Sequence, residues 1–180
     1  AHHGQRARRA AEAACLSALL QGLPPVIGRH TRLIVLGSFP GEASLAAGQY
    51  YAHPRNQFWP LLGALLGEPL PSLPYEQRLR RLRRHGVGLW DVIGSCRRDG
   101  SLDSRIRDAC CNDLGSLRER APALRAVAHN GAASARAMRV TGTLGVAVYR
   151  LPSSSPAHAR LRFEHKLERW REVFAACGLA

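Results

Sequence analysis

Two stretches of this 180-residue chain concentrate the residue types that do chemistry. One runs Gly37-Ser38-Phe39-Pro40-Gly41 and continues through Gln49-Tyr50-Tyr51-Ala52-His53-Pro54-Arg55-Asn56-Gln57-Phe58-Trp59. The other is Leu151-Pro152-Ser153-Ser154-Ser155-Pro156, with His158 and Arg160 just beyond it. An amide such as Asn56 can orient a water with its carbonyl while its NH2 touches a substrate, though it is no strong base. Its ordinary alternative is to cap the helix that begins at residue 57. A tyrosine in a polar loop, such as Tyr51, offers a flat face to a planar ring, whereas Phe58 and Trp59 read as core. Serine hydroxyls ahead of a helix suit anionic oxygens, and a serine run is also a common linker. Asp91 adds a carboxylate whose plain alternative is a cap or a partner for an arginine. Asn112 and Asn130 add two more amides.

These residues need elements to hold them, and hydrophobic patterning supplies candidates. Residues 32–37 and 86–93 are apolar runs of the kind buried on both faces of a sheet, with further strands at 124–130 and 146–151. Helices are expected at 56–67, 76–85, 112–120 and 131–140, with a last one after Pro156 carrying Phe163, Leu167, Trp170, Phe174 and Cys177 to a stop at Gly178. An amphipathic helix over 8–22, ended by Gly22-Leu23-Pro24-Pro25, forms an extension (1–24) packed on a single domain spanning 1–180. Strands separated by helices predict an α/β fold, a three-layer α/β/α sandwich around a central four-stranded parallel sheet. Such sheets bind ligands beyond the C-terminal strand ends, which selects loops 37–56, 94–104, 130–131 and 151–160.

A net charge of +13 and a pI near 11.0 point to a polyanionic partner, nucleic acid first, although an arginine-rich codon bias could contribute. No run of eighteen apolar residues and no signal-peptide core is present, so no membrane partner is expected. Five cysteines without a CxxC pair argue for reduced thiols and against metal; no cofactor is implied.

The linked motifs GSFPG and YYAHPRNQFW resemble the GxxPG opening and HPxNxFW continuation of mismatch-specific uracil glycosylases, and most closely the hypoxanthine-DNA glycosylase branch of the uracil-DNA glycosylase superfamily. Leu89-Trp90-Asp91-Val92-Ile93-Gly94-Ser95-Cys96, Gly100-Ser101-Leu102-Asp103, His129-Asn130-Gly131 and Leu151 to Ala157 resemble the same branch, so the similarity covers most of the chain from about residue 32. The resemblance implies removal of a deaminated base, with DNA as partner, a monomer as the working unit, and the cytoplasm of a bacterial cell, at the nucleoid, as the location.

Such an enzyme must flip the base from the stack, hold it, guide water to a sugar cation and clamp phosphates. The resemblance assigns the catalytic role to Asn56. It assigns base contact to Tyr51, Phe39, Asp91, Asn112 and Asn130. DNA contact falls to Gly37, Ser38, Pro40, Gly41, His53 and Arg55 on one side of the entrance, and to Ser153, Ser154, Ser155, His158 and Arg160 on the other. Phe39 stands where uracil enzymes carry the Asn of GINPG, and Leu151 where others carry a histidine before Pro-Ser. Both departures disfavour a uracil anion and favour a purine, which is activated at its ring nitrogens. The rivals are a uracil or broad deaminated-base glycosylase, an inactive lesion-binding protein, and a nucleotide phosphohydrolase. Lys166, the sole lysine, lies in the last helix, so no Schiff-base lyase step is expected.

Overall fold

The computed structural model describes residues 4–6 and 18–180. The chain forms β1 (Leu20–Gln21), β2 (Leu33–Gly37), α1 (Glu42–Ala47), α2 (Phe58–Leu66), α3 (Tyr75–His85), β3 (Val87–Asp91), β4 (Ile93–Arg97), β5 (Arg107–Cys111), α4 (Leu117–Arg120), β6 (Ala126–Asn130), α5 (Ala132–Ala135), α6 (Met138–Thr141), β7 (Ala147–Leu151) and α7 (Phe163–Ala176). A four-stranded parallel sheet in the order β3-β2-β6-β7 is the centre of the fold.

Period-two alternation sorts the buried strand residues onto two faces. Leu33, Val35, Val87, Leu89, Ala126 and Ala128 join Phe58, Leu82, Trp170 and Phe174 from α2, α3 and α7 in one core. Ile34, Leu36, Trp90 and Val127 join Leu114, Leu117, Ala121 and Leu144 in the other. Both faces are therefore covered, which is why β2 and β3 are apolar along their length, and the predicted three-layer α/β/α arrangement is observed. Each such leucine taken fully out of water contributes about 1.5–3 kcal/mol to the driving force for that arrangement.

A second, antiparallel sheet in the order β1-β4-β5 was not expected. The chain turns at Val92, leaving β3 for β4, so residues 93–97 are strand where a loop was expected. Leu20–Gln21 pairs with Ser95 and Cys96, so the C-terminal part of the expected 8–22 helix is extended; residues 8–17 of that expectation lie outside the described residues. Helix 112–120 is a 3-10 turn followed by the four-residue α4, and helix 131–140 divides into α5 and α6. The last helix starts only at Phe163, because residues 157–162 form turns over the strand ends. Among the described residues no helix is long and apolar enough to cross a membrane, no His, Cys, Asp and Glu cluster could hold a metal ion, and Cys96, Cys110, Cys111 and Cys177 are free thiols.

Candidate active site

Beyond the C-terminal ends of β2, β3, β6 and β7 lies a cavity of about 160 Å³, lined by the loops that follow those strands. Gly37, Ser38, Phe39, Pro40, Gly41, Tyr51, His53, Asn56, Asp91, Asn130, Ser153, Ser154 and Ser155 all contribute to its wall. Asn112, Arg55, His158 and Arg160 do not. The Asn112 Nδ2 donates to the Asp91 carbonyl at 2.8 Å, so Asn112 pins the β3–β4 turn and stands outside the cavity wall.

The turn carrying Asn56 follows from local sequence. Pro54 sits at the second position of a β-turn closed by the Asn56 N–H on the His53 carbonyl at 2.9 Å. The Asn56 Oδ1 then accepts the Phe58 N–H at 2.9 Å at the start of α2. Asn56 precedes Gln57, the N-cap residue, and this Asx-turn contact to the first helical N–H orients its side chain. The carbonyl oxygen is tethered with one lone pair left, and the NH2 has no hydrogen-bond partner among the described residues.

Tyr51 has φ 56°, a left-handed conformation unusual for an aromatic residue, and its ring stacks on Phe58 with centroids 3.9 Å apart and planes 18° apart. Burial, then the charge of Asp91, push its hydroxyl up, while the hydrogen bond from Asn130 Nδ2 at 3.3 Å opposes them. Its neighbour Tyr50 belongs to the core, with the hydroxyl donating to the Pro24 carbonyl at 2.7 Å.

Asn130 ties Tyr51 to the serine loop at the cavity wall. Besides the Tyr51 hydroxyl, its Nδ2 reaches Ser154 Oγ at 2.9 Å and its Oδ1 accepts the Ser154 N–H at 3.0 Å, which locks the serine loop over the end of β6. Gly131, at φ 96°, lets that loop approach, since a side chain there would press on Ser153. Within the loop Ser153 Oγ accepts the Ser155 N–H and Ser155 Oγ accepts the Ala157 N–H, leaving both hydroxyl hydrogens to donate outward. His129, beside Asn130, is buried between Ser134 and Thr141 and is structural.

Three contributors escaped sequence reasoning. Arg98, buried without a carboxylate, clamps the first loop by donating to the Pro40 carbonyl at 2.6 Å and the Gly100 carbonyl at 2.7 Å, with its guanidinium over Phe39. Asp103 lines the cavity and accepts the Ser38 hydroxyl at 2.8 Å. Lys166 is buried and donates to Gln57 Oε1 and the His158 carbonyl, tying α7 to the residue after Asn56; burial pushes its ammonium down. The only sequence signals were an arginine, an aspartate and a lysine close to motif residues.

Similarity to known proteins agrees with this geometry. Residues 24–174 match the family model of the Uracil DNA glycosylase superfamily. Hypoxanthine DNA glycosylase from Methanosarcina barkeri is 40% identical over 154 residues, covering 86% of this chain and 97% of the relative. Its namesake from Methanosarcina acetivorans is 38% identical over the same coverage. A Methanosarcina acetivorans protein solved by NMR and described as a uracil DNA glycosylase superposes with a TM-score of 0.81 at 35% identity, covering 89% of this chain and 99% of that one. With two thirds and more of both partners aligned and the cavity walled by the motif residues, the chain belongs to the uracil DNA glycosylase superfamily.

Proposed function

We propose that this protein is a monofunctional DNA glycosylase that excises hypoxanthine, the base left when adenine is deaminated. The observation that carries this reading is the convergence of Tyr51, Asn56 and Asp91 with the serine loop on one cavity at the strand ends. Tyr51, backed by Phe58, is a rigid platform on which a flipped base stacks. Asn56 guides water to the anomeric carbon as the glycosidic bond loosens. The Ser153 and Ser155 hydroxyls hold the flanking phosphates, and the arginine-rich surface supplies affinity for the backbone. Lys166 is outside the cavity and held by two acceptors, so no amine attacks the sugar and the product is an abasic site. One chain supplies all of these groups, and we place it as a monomer in the cytoplasm with the chromosome.

Duplexes carrying inosine, uracil or xanthine, treated with the protein and then with alkali, test the reading. Inosine strands are expected to be cut at least about tenfold faster than uracil strands; faster uracil release, or none from inosine, overturns it. Tyr51→Ala is expected to lower kcat/KM on inosine by about 10- to 100-fold, the worth of one stacked base. Tyr51→Phe, which keeps the ring and loses only the contact to Asn130, should stay within about fivefold in the same steady-state assay.

A further inference from the structure

Asp91 ends β3 against the cavity, 5% exposed, and its Oδ2 is buried with no hydrogen-bond partner. The residue beside it in the parallel register is Gly37, where a Cβ would overlap Asp91 Oδ1, so the wall is cut to admit this carboxyl group. The groups that face it electrostatically are the Tyr50 and Tyr51 hydroxyls and the carboxylate of Asp103. No cation is paired with it among the described residues. A buried carboxyl group beside a second carboxyl group resists ionisation. Asp103 is exposed and accepts the Ser38 hydroxyl at 2.8 Å. Burial first, and Asp103 second, push the Asp91 carboxyl up to about 7.

Resting on the hypoxanthine reading above, we propose that Asp91 enters the reaction as a neutral carboxylic acid and hands its proton to N7 of the departing purine. The C1′–N9 bond breaks with its electron pair going to the purine, and the Asp91 proton on N7 makes the base leave neutral. A water oxygen bonds C1′, the proton it sheds passes to solvent, and Asp91 is reprotonated from solvent. One water is consumed, and an abasic site and free hypoxanthine are formed. Uracil has no imidazole nitrogen to receive this proton, so the acid selects purines.

The test is single-turnover release from inosine and uracil duplexes between about pH 5 and about pH 9, with thermal melts to confirm folding. Wild-type release of hypoxanthine is expected to be level below about pH 7 and to fall about tenfold per pH unit above it. Asp91→Asn should be about 100-fold or more slower on inosine and level with pH. The exposed Asp103→Asn removes the neighbouring charge and should move the falling limb to lower pH. Hypoxanthine release that rises through the same range would mark an ionised Asp91 accepting a base N–H and overturn the proposal, as would an unchanged pH profile in Asp91→Asn. Wild-type protein that releases uracil and no hypoxanthine at any pH overturns the functional reading itself, an outcome distinguishable from the other two.

Discussion

Asn56→Ala is expected to fold, to bind inosine duplex as the parent does, and to release base about 100- to 1,000-fold more slowly, the usual consequence of losing one group aimed at the transition state. The same change removes the acceptor for the Phe58 N–H, so the variant should also melt with about 1 kcal/mol less stability, the cost of one lost hydrogen bond at the start of the helix. Asn56→Asp separates the two effects. Its carboxylate keeps an oxygen for the Phe58 N–H and Asp forms this turn as Asn does, so stability should match the parent to within about 0.5 kcal/mol whatever happens to turnover. Single-turnover kinetics, thermal melts and gel-shift titration read the three quantities independently. If Asn56→Ala keeps parental turnover, the residue only holds the turn and the water is guided from elsewhere.

That dual role shows how far sequence reasoning reaches here. The four central strands were legible because each is a short, largely apolar run between turn residues, and the C-terminal-edge rule then picked the loops holding Tyr51, Asn56, Asn130 and the serines. The β1-β4-β5 sheet was not legible, for a physical reason. β5 is exposed along its length and only Cys96 of β4 is buried, so neither strand carries the alternation that marks one. The missed members of the site share another cause. Arg98 acts on a carbonyl 58 residues away, Asp103 on a hydroxyl 65 away, and Lys166 on an amide 109 away. Such contacts leave no periodic or local trace, and two of the three residues donate to backbone carbonyls that any side chain could carry. For Asn112 the sequence offered an amide without its partner, and the structure gives its Nδ2 to the Asp91 carbonyl.

Gly37→Ala is expected to lower both stability and turnover. The strand itself tolerates alanine, but the added Cβ overlaps Asp91 Oδ1 and stands 3.2 Å from the Tyr51 hydroxyl, so the acid and the stacking platform are displaced together. Overpacking of this kind costs about 1–3 kcal/mol. A misplacement on the scale of an ångström lowers turnover by about 100-fold. Denaturant unfolding and single-turnover release measure these losses. A double-mutant cycle locates their origin: introduced into Asp91→Ala, where the carboxyl group is gone and only the approach to the Tyr51 hydroxyl remains, the same glycine substitution should cost under about 1 kcal/mol and lower turnover by less than about tenfold. Equal penalties in both backgrounds would mean that Gly37 is required by the backbone of β2 and not by the carboxyl group beside it. Strong coupling would mean that the strand register exists, at this end of the sheet, to seat a buried acid against the base.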